Sequence, residues 1–271
     1  MNTFNVSENF QLKGFDIRSP FKDNKLVNVL IDSINKNDEV RALWEVMNVN
    51  AQHRMKMTDH GIVHFQVVTN HAVKMARILR TKNIKLSVEK DYGLSYEHGE
   101  LIIVLGSLLH DLGMSINRSG HEEFSLFLAN NIMRETLTFL PIREKTIVIS
   151  ETLHAIYNHR SGGKPLTIEA GIVRIADAID MEKGRSRFAN EMGNIDIYNI
   201  SHFAIDKVEL KIGKNKPILI KITMNNSAGL FQIDELLDSK LAHSGLEKYV
   251  EMQAKVTGKT EKKLIREFLV K

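Results

Sequence analysis

Residues 101–114 read LIIVLGSLLHDLGM, an apolar run that ends on the ionisable pair His110 and Asp111. A run apolar on every face predicts a buried helix. Adjacent helical residues point about 100° apart, so both side chains reach one point only if it lies beside the helix. A metal ion is such a point, since it draws on imidazole nitrogen and carboxylate oxygen together. For one isolated His-Asp pair, a polar turn closing a core helix is the plainer account. The rest of the chain weighs against that account.

Upstream, His60 and His64 stand one helical turn apart in DHGIVHFQVVTNHAVKMARIL, whose apolar pattern predicts a largely buried helix. Downstream, His121 opens the amphipathic segment HEEFSLFLANNIM. His154 and His159 follow in ETLHAIYNHRSGG, and Asp177 and Asp180 in IVRIADAIDMEKGR. Ionisable side chains are rarely buried unless they are paired or bound to metal. One of them in an apolar helix is usually a satisfied core residue. So many, on consecutive apolar helices, point to a shared centre.

The order His, His-Asp, His, His, Asp resembles the HD superfamily of metal-dependent phosphohydrolases, over roughly Thr58 to Arg187. The resemblance implies a mainly α helical bundle. It implies that His64, His110, Asp111 and Asp177 hold a first metal, and that His121 and His159 extend the set as in the dinuclear branch. That branch includes diadenosine tetraphosphate hydrolases, an endoribonuclease and inositol oxygenases. In its hydrolases the second extra histidine stands eighteen residues before the last aspartate, as His159 does before Asp177. One or two divalent transition metals are therefore expected, Mn, Fe, Co or Ni, with Mg also possible.

The spacing of His60 and His64 is similar to that of cyclic-nucleotide phosphodiesterases, in which the first histidine donates a proton to the leaving oxygen. Other dinuclear members carry a metal-binding glutamate there, so His60 is expected to be either the proton donor or a ligand. His154 lies about 140° round a helix from His159, so both face one metal only if the helix ends between them. His159 is expected to be the ligand and His154 a second-layer or substrate contact; His71 is expected to be structural.

Two divalent ions a few ångströms apart polarise phosphoryl oxygens and bridge a water whose pKa falls toward neutrality. Asp111 is expected to ligate both ions and orient the resulting hydroxide. Lys183, Arg185 and Arg187, after the Asp177 helix in MEKGRSR, are candidates for meeting phosphoryl charge, with Gly184 supplying a turn back over the site. A solvated helix end is an equal account of these cations.

Composition is compatible with this and decides little. The 271 residues leave room for one full core and a small second domain. No apolar run reaches the roughly 18 residues of a membrane span, and the N-terminus lacks the apolar stretch of a signal peptide, so the cytoplasm is expected. The absence of cysteine leaves nitrogen and oxygen as the metal ligands. A net charge of +4 favours phosphate-bearing partners but does not by itself argue nucleic acid, which stays open.

Two segments from about Asn24 to Met57 have helical patterns, and Arg80 to Gly99 is expected to be a polar loop. Thr167 is the expected N-cap of the Asp177 helix. After about residue 200 the periodicity changes to alternation. Val208–Ile212 and Ile218–Met224 form a predicted hairpin, followed by an amphipathic helix from Leu230 to Ala242 and a strand from Tyr249 to Val256. The expected organisation is an all-α domain over 1–200 and a small C-terminal β-β-α-β unit over 201–271. The expected function is hydrolysis of a phosphate ester or anhydride of a small molecule, a nucleotide in particular, by a homo-oligomer. A dinuclear iron oxygenase and a non-catalytic nucleotide-binding module are the alternatives.

Overall fold

The computed structural model describes residues 15–160, 162–186, 201–258 and 267–270. Two short helices come first. In α1 (Lys25–Asn35) the Asn24 side chain accepts from the backbone N–H groups of Leu26 and Val27, and in α2 (Asp38–Asn48) Asn37 accepts from Val40. These side chains take over donors that the first turn leaves unpartnered. A π-helical turn, Val49–Arg54, continues α2. Helix α3 (Ile62–Thr81) then runs for 20 residues.

The segment expected to be a polar loop after Arg80 is only partly one. It contains a short helix, α4 (Ser87–Asp91), and helix α5 (Tyr96–Leu109) begins before His98 and Gly99, which lie inside it. Tertiary contacts make the difference. The buried Glu169 carboxylate accepts from the N–H groups of Ser87 and Val88, both at 3.0 Å, and so caps α4 from a distant helix. The chain turns at Gly93 between α4 and α5, where a φ of 67° suits a residue without Cβ.

Helix α5 is the axle of the bundle. Residues 99–109 are all buried, and the helix packs against α1, α3, α7 (Ile142–Tyr157) and α8 (Ile168–Ala178). Gly106 lets α8 close on it, since a Cβ there would stand 2.9 Å from a Val173 methyl. Trp44 packs beside the last turn and donates its indole N–H to the Leu108 carbonyl at 3.2 Å. Beyond α5 come a 3-10 turn (Leu112–Ser115) and α6 (His121–Thr136). Thr167 caps α8 as expected, accepting from Ala170 N–H.

The C-terminal segment forms a sheet of order β1-β2-β3-β4. Strands β1 (Ile205–Ile212) and β2 (Ile218–Met224) make the predicted hairpin, with Leu210 opposite Ile220. Strand β3 (Val250–Val256) runs parallel to β2 after a helical crossover, and β4 (Glu267–Val270), which sequence reading had not anticipated, pairs antiparallel with β3. The crossover is helical from Leu230 to Leu241, π-type over Gln232–Asp238 and closing in α9 (Ser239–Leu241). The apolar sheet face, including Leu210, Ile220, Ile222 and Met252, shares one core with Val68, Met75 and Leu79 of α3 and with Ile172 and Ile175 of α8. Each such side chain contributes about 1.5–3 kcal/mol by leaving water. The protein is thus mainly helical, with the small sheet packed on the helices that carry the site. Among the described residues, no helix is long and apolar enough to cross a membrane.

Candidate metal centre

Five segments deliver ionisable side chains to one buried point. His64 sits in the first turn of α3, with His60 just ahead of that helix rather than on its face. His110 and Asp111 lie where α5 ends, His121 is the first residue of α6, and His159 follows the end of α7. Asp177 is in the last turn of α8, and Asp180 comes three residues later. Even the most exposed of these eight, Asp177, is only 9% accessible.

The local backbone fixes how each ring points. The Nδ1 atoms of His60, His110, His121 and His159 lie 2.6–3.1 Å from the carbonyl oxygens of Thr58, Ser107, Arg118 and Ile156, respectively. His64 Nδ1 lies 2.6 Å from Asp180 Oδ2. A carbonyl or carboxylate oxygen only accepts, so every Nδ1 must carry the proton. In the neutral rings every Nε2 is then a lone pair, and these lone pairs face one another: His64 and His110 at 3.4 Å, His121 and His159 at 3.2 Å. Lone pairs held that close are stabilised by a proton or a metal ion between or beside them. Oxygen-anchored histidines are also how proteins orient metal ligands.

Two overlapping sets result. His64 Nε2, His110 Nε2 and Asp177 Oδ1 lie 3.4–3.7 Å apart, with Asp111 Oδ2 at 3.4 Å from His110 and 3.9 Å from His64. On the other side, Asp111 Oδ1 lies 2.9 Å from His121 Nε2 and 3.5 Å from His159 Nε2. The groups His64, His110, Asp177 and His110, Asp111, His159 each have the spacing to hold an ion. An ion about 2.1 Å from each ligand sets neighbouring ligand atoms roughly 3.0–3.4 Å apart, so little adjustment is required. Asp111 faces the two sets with different oxygens.

The field at this point favours positive charge. Burial lowers the His110 pKa, but the Asp111 and Asp177 carboxylates outweigh it and hold the ring at about 10. Burial pushes both carboxyls up, yet His110 beside Asp111, and Lys240 with His110 beside Asp177, leave each well below the usual range. A divalent ion competes with a proton for this place, and its binding would release that proton. Burial lowers His159 to about 4, and burial with nearby Arg185 lowers His60 to about 3, so both are neutral donors of electron pairs.

The remaining expected residues fall differently. Helix α7 ends between His154 and His159, and only His159 reaches the centre. His154 instead accepts from Leu166 N–H at 2.9 Å through Nε2 and contacts Asn158 through Nδ1, bracing the loop that carries His159. Lys183 points away, 3.1 Å from Asp206. Arg185 does fold back, donating to the Asp59 and Asp180 carbonyls and lying 3.6 Å from Asp180 Oδ2, so it braces the His60 segment. Arg187 lies outside the described residues. Sequence reading assigned no role to the groups that hold the centre together. Ser125 Oγ accepts from Gly113 N–H and lies 2.7 and 2.8 Å from the His110 and His121 carbonyls, while a Cβ on Gly113 would meet His121 O at 2.0 Å. Lys240, from α9, reaches Asp177 Oδ2 at 2.5 Å. Asp180 had a local signal, three residues after Asp177; Lys240 had none, because 63 residues separate it from its partner.

A family model, the HD domain, matches residues 68–182, a range that takes in His110, Asp111, His121, His159 and Asp177 and begins after His60 and His64. The chain is 40% identical to the uncharacterized protein MJ1020 of Methanocaldococcus jannaschii over 229 residues, 84% of this chain and 88% of that protein. No solved structure matches significantly.

Proposed function

The chain belongs to the HD-domain family, and from that premise we propose that it is a metal-dependent hydrolase of a phosphate ester or anhydride, with a nucleotide as substrate. One observation carries the reading. Five histidines anchored through Nδ1 aim Nε2 at a buried point where Asp111 turns one oxygen to each of two ligand sets. In the proposal His64, His110, Asp111 and Asp177 hold one ion, and Asp111, His121 and His159 a second. Nitrogen-rich sets suit Mn²⁺, Fe²⁺, Co²⁺ or Ni²⁺ better than Ca²⁺. Bound there, such ions would polarise the phosphoryl group and make a water nucleophilic near neutral pH.

The chain's own residues then divide the work. Asp111, whose side chain is only 5% exposed, would orient the nucleophile through the two oxygens it turns to the ligand sets. His60 Nε2 lies 4.0 Å from Asp111 Oδ2, so it can take the proton of the attacking water and return it to the leaving oxygen. A cavity of about 340 Å³ lined by Glu122, Glu123, Tyr157, Arg160, Gly162 and Gly163 adjoins the residues that follow His121 and His159. Its size suits the rest of a nucleotide, and the half-exposed Tyr157 ring offers a face on which a base can stack. The division of labour proposed is catalysis within residues 1–200 and support of the site from 201–271.

Turnover of a nucleotide panel under each metal tests the reading. Release of phosphate or a nucleoside monophosphate with Mn²⁺ or Co²⁺ is expected. Oxygen uptake by the Fe²⁺ form with no hydrolysis would replace the hydrolase by an oxygenase.

A further inference from the structure

We propose that Lys240, supplied by the C-terminal unit, is a positioning residue of the metal centre: it reserves one oxygen of Asp177 and thereby keeps a coordination position open for water or a phosphoryl oxygen. The inference rests on the metal-centre reading above and adds a part of the chain that the family match at 68–182 does not include.

The two oxygens of Asp177 have separate partners. Oδ1 faces His64 Nε2 at 3.6 Å and His110 Nε2 at 3.7 Å, while Oδ2 is 2.5 Å from Lys240 Nζ. A carboxylate with both oxygens free can grip one ion with both and fill two of its positions. An ammonium on the outer oxygen disfavours that grip, so Asp177 is left to bind through Oδ1 alone. The lysine is largely sequestered, its side chain 15% exposed, which strengthens this charge-assisted hydrogen bond relative to a solvated pair.

The fold spends a buried arginine on keeping Lys240 there. Arg174 precedes Asp177 by three residues on α8 and so lies on the same face. Its guanidinium donates to the Lys240 carbonyl at 2.7 Å and reaches Ser239 O at 3.4 Å. The same group donates to the carbonyls of Asn158, Arg160 and Gly163, the loop that carries His159. One side chain, itself inaccessible to solvent, therefore joins the backbone behind Lys240 to the backbone around a ligand of the second set. The π-helical turn Gln232–Asp238 immediately before α9 shifts the helical register there, a feature frequent beside functional sites.

The test compares metal binding by the full-length protein and its Lys240→Gln and Lys240→Arg variants, using Mn²⁺ competition against a chromogenic chelator and the visible spectrum of the Co²⁺ forms. Removing the unit positive charge beside Asp177 would relieve repulsion toward a bound cation, so Lys240→Gln should bind one of two ions roughly tenfold more tightly. Its Co²⁺ absorption should weaken as coordination rises, and its turnover should fall. Lys240→Arg, which keeps charge and hydrogen bond, should restore wild-type affinity and spectrum. A lysine with a merely structural role would leave affinity unchanged or lower it in both variants, and either result overturns the proposal. If Lys240→Gln fails to fold, a Lys240→Arg affinity or Co²⁺ spectrum unlike wild type overturns it. Failure of the wild-type protein to bind any transition metal would instead overturn the metal centre itself.

Discussion

His64 Nδ1 lies 2.6 Å from Asp180 Oδ2, and this single hydrogen bond fixes the tautomer of the neutral ring, leaving the lone pair on the nitrogen that faces the site. Both groups are buried, so water cannot substitute for the carboxylate. Asp180→Ala should therefore free the ring to turn and weaken binding at the His64 side of the centre by about 10–100-fold, the range for loss of a partner that orients a metal ligand. Titration of the apo-protein with Mn²⁺ would show this as one weakened ion of two; an unchanged isotherm would make Asp180 a bystander.

Among the described residues, Asp111 is the one side chain whose oxygens face both ligand sets. Asp111→Ala should abolish hydrolysis and weaken both ions, whereas His159→Ala should empty mainly the second position. Metal content after gel filtration distinguishes the two. Two ions retained by both variants, with full activity, would mean the ligand sets are misassigned.

His60 stands apart from the other histidines, its Nε2 4.0 Å from the nearest Asp111 oxygen. If it moves the proton to the leaving oxygen, His60→Gln should keep both metals while slowing nucleotide hydrolysis by about 10²–10⁴-fold. Aryl phosphates, whose leaving groups barely need a proton, should be much less affected. Loss of one metal in this variant would make His60 a ligand instead.

The cavity beside the centre predicts a different kind of defect. Tyr157 is 47% exposed at its rim, so Tyr157→Ala should raise KM for nucleotides by roughly tenfold, the equivalent of one base–aromatic stack, and leave kcat nearly unchanged. An equal KM for the variant would put the base elsewhere.

Much of this arrangement is legible in the sequence because helical periodicity and ligand spacing are local properties. The run 101–109 announced the buried axle, and His110, Asp111, His121, His159 and Asp177 stand at helix ends, where a side chain can leave the core pattern without breaking it. The hairpin was visible from alternation, which a one-residue slip would have destroyed. What could not be read depends on contacts between distant segments. Glu169 caps α4 across about 80 residues, and Lys240 reaches Asp177 across 63. His60 was expected on a helix face with His64, but Gly61 starts the helix after it, and the hydrogen bond to Thr58 turns the ring inward instead. His154 shows the converse: a histidine in the right neighbourhood whose ring is committed to a loop.

The central claim is that converging Nε2 lone pairs and carboxylates exist to hold divalent metal. Elemental analysis of protein purified without chelator, followed by reconstitution of the stripped protein with Mn²⁺, Fe²⁺, Co²⁺ and Ni²⁺, tests it most directly. The account predicts up to two transition-metal ions per chain, lost together in Asp111→Ala, and a thermal midpoint that rises on reloading because the ions bind only the folded chain. A protein that carries no transition metal and takes up none on reconstitution would contradict it.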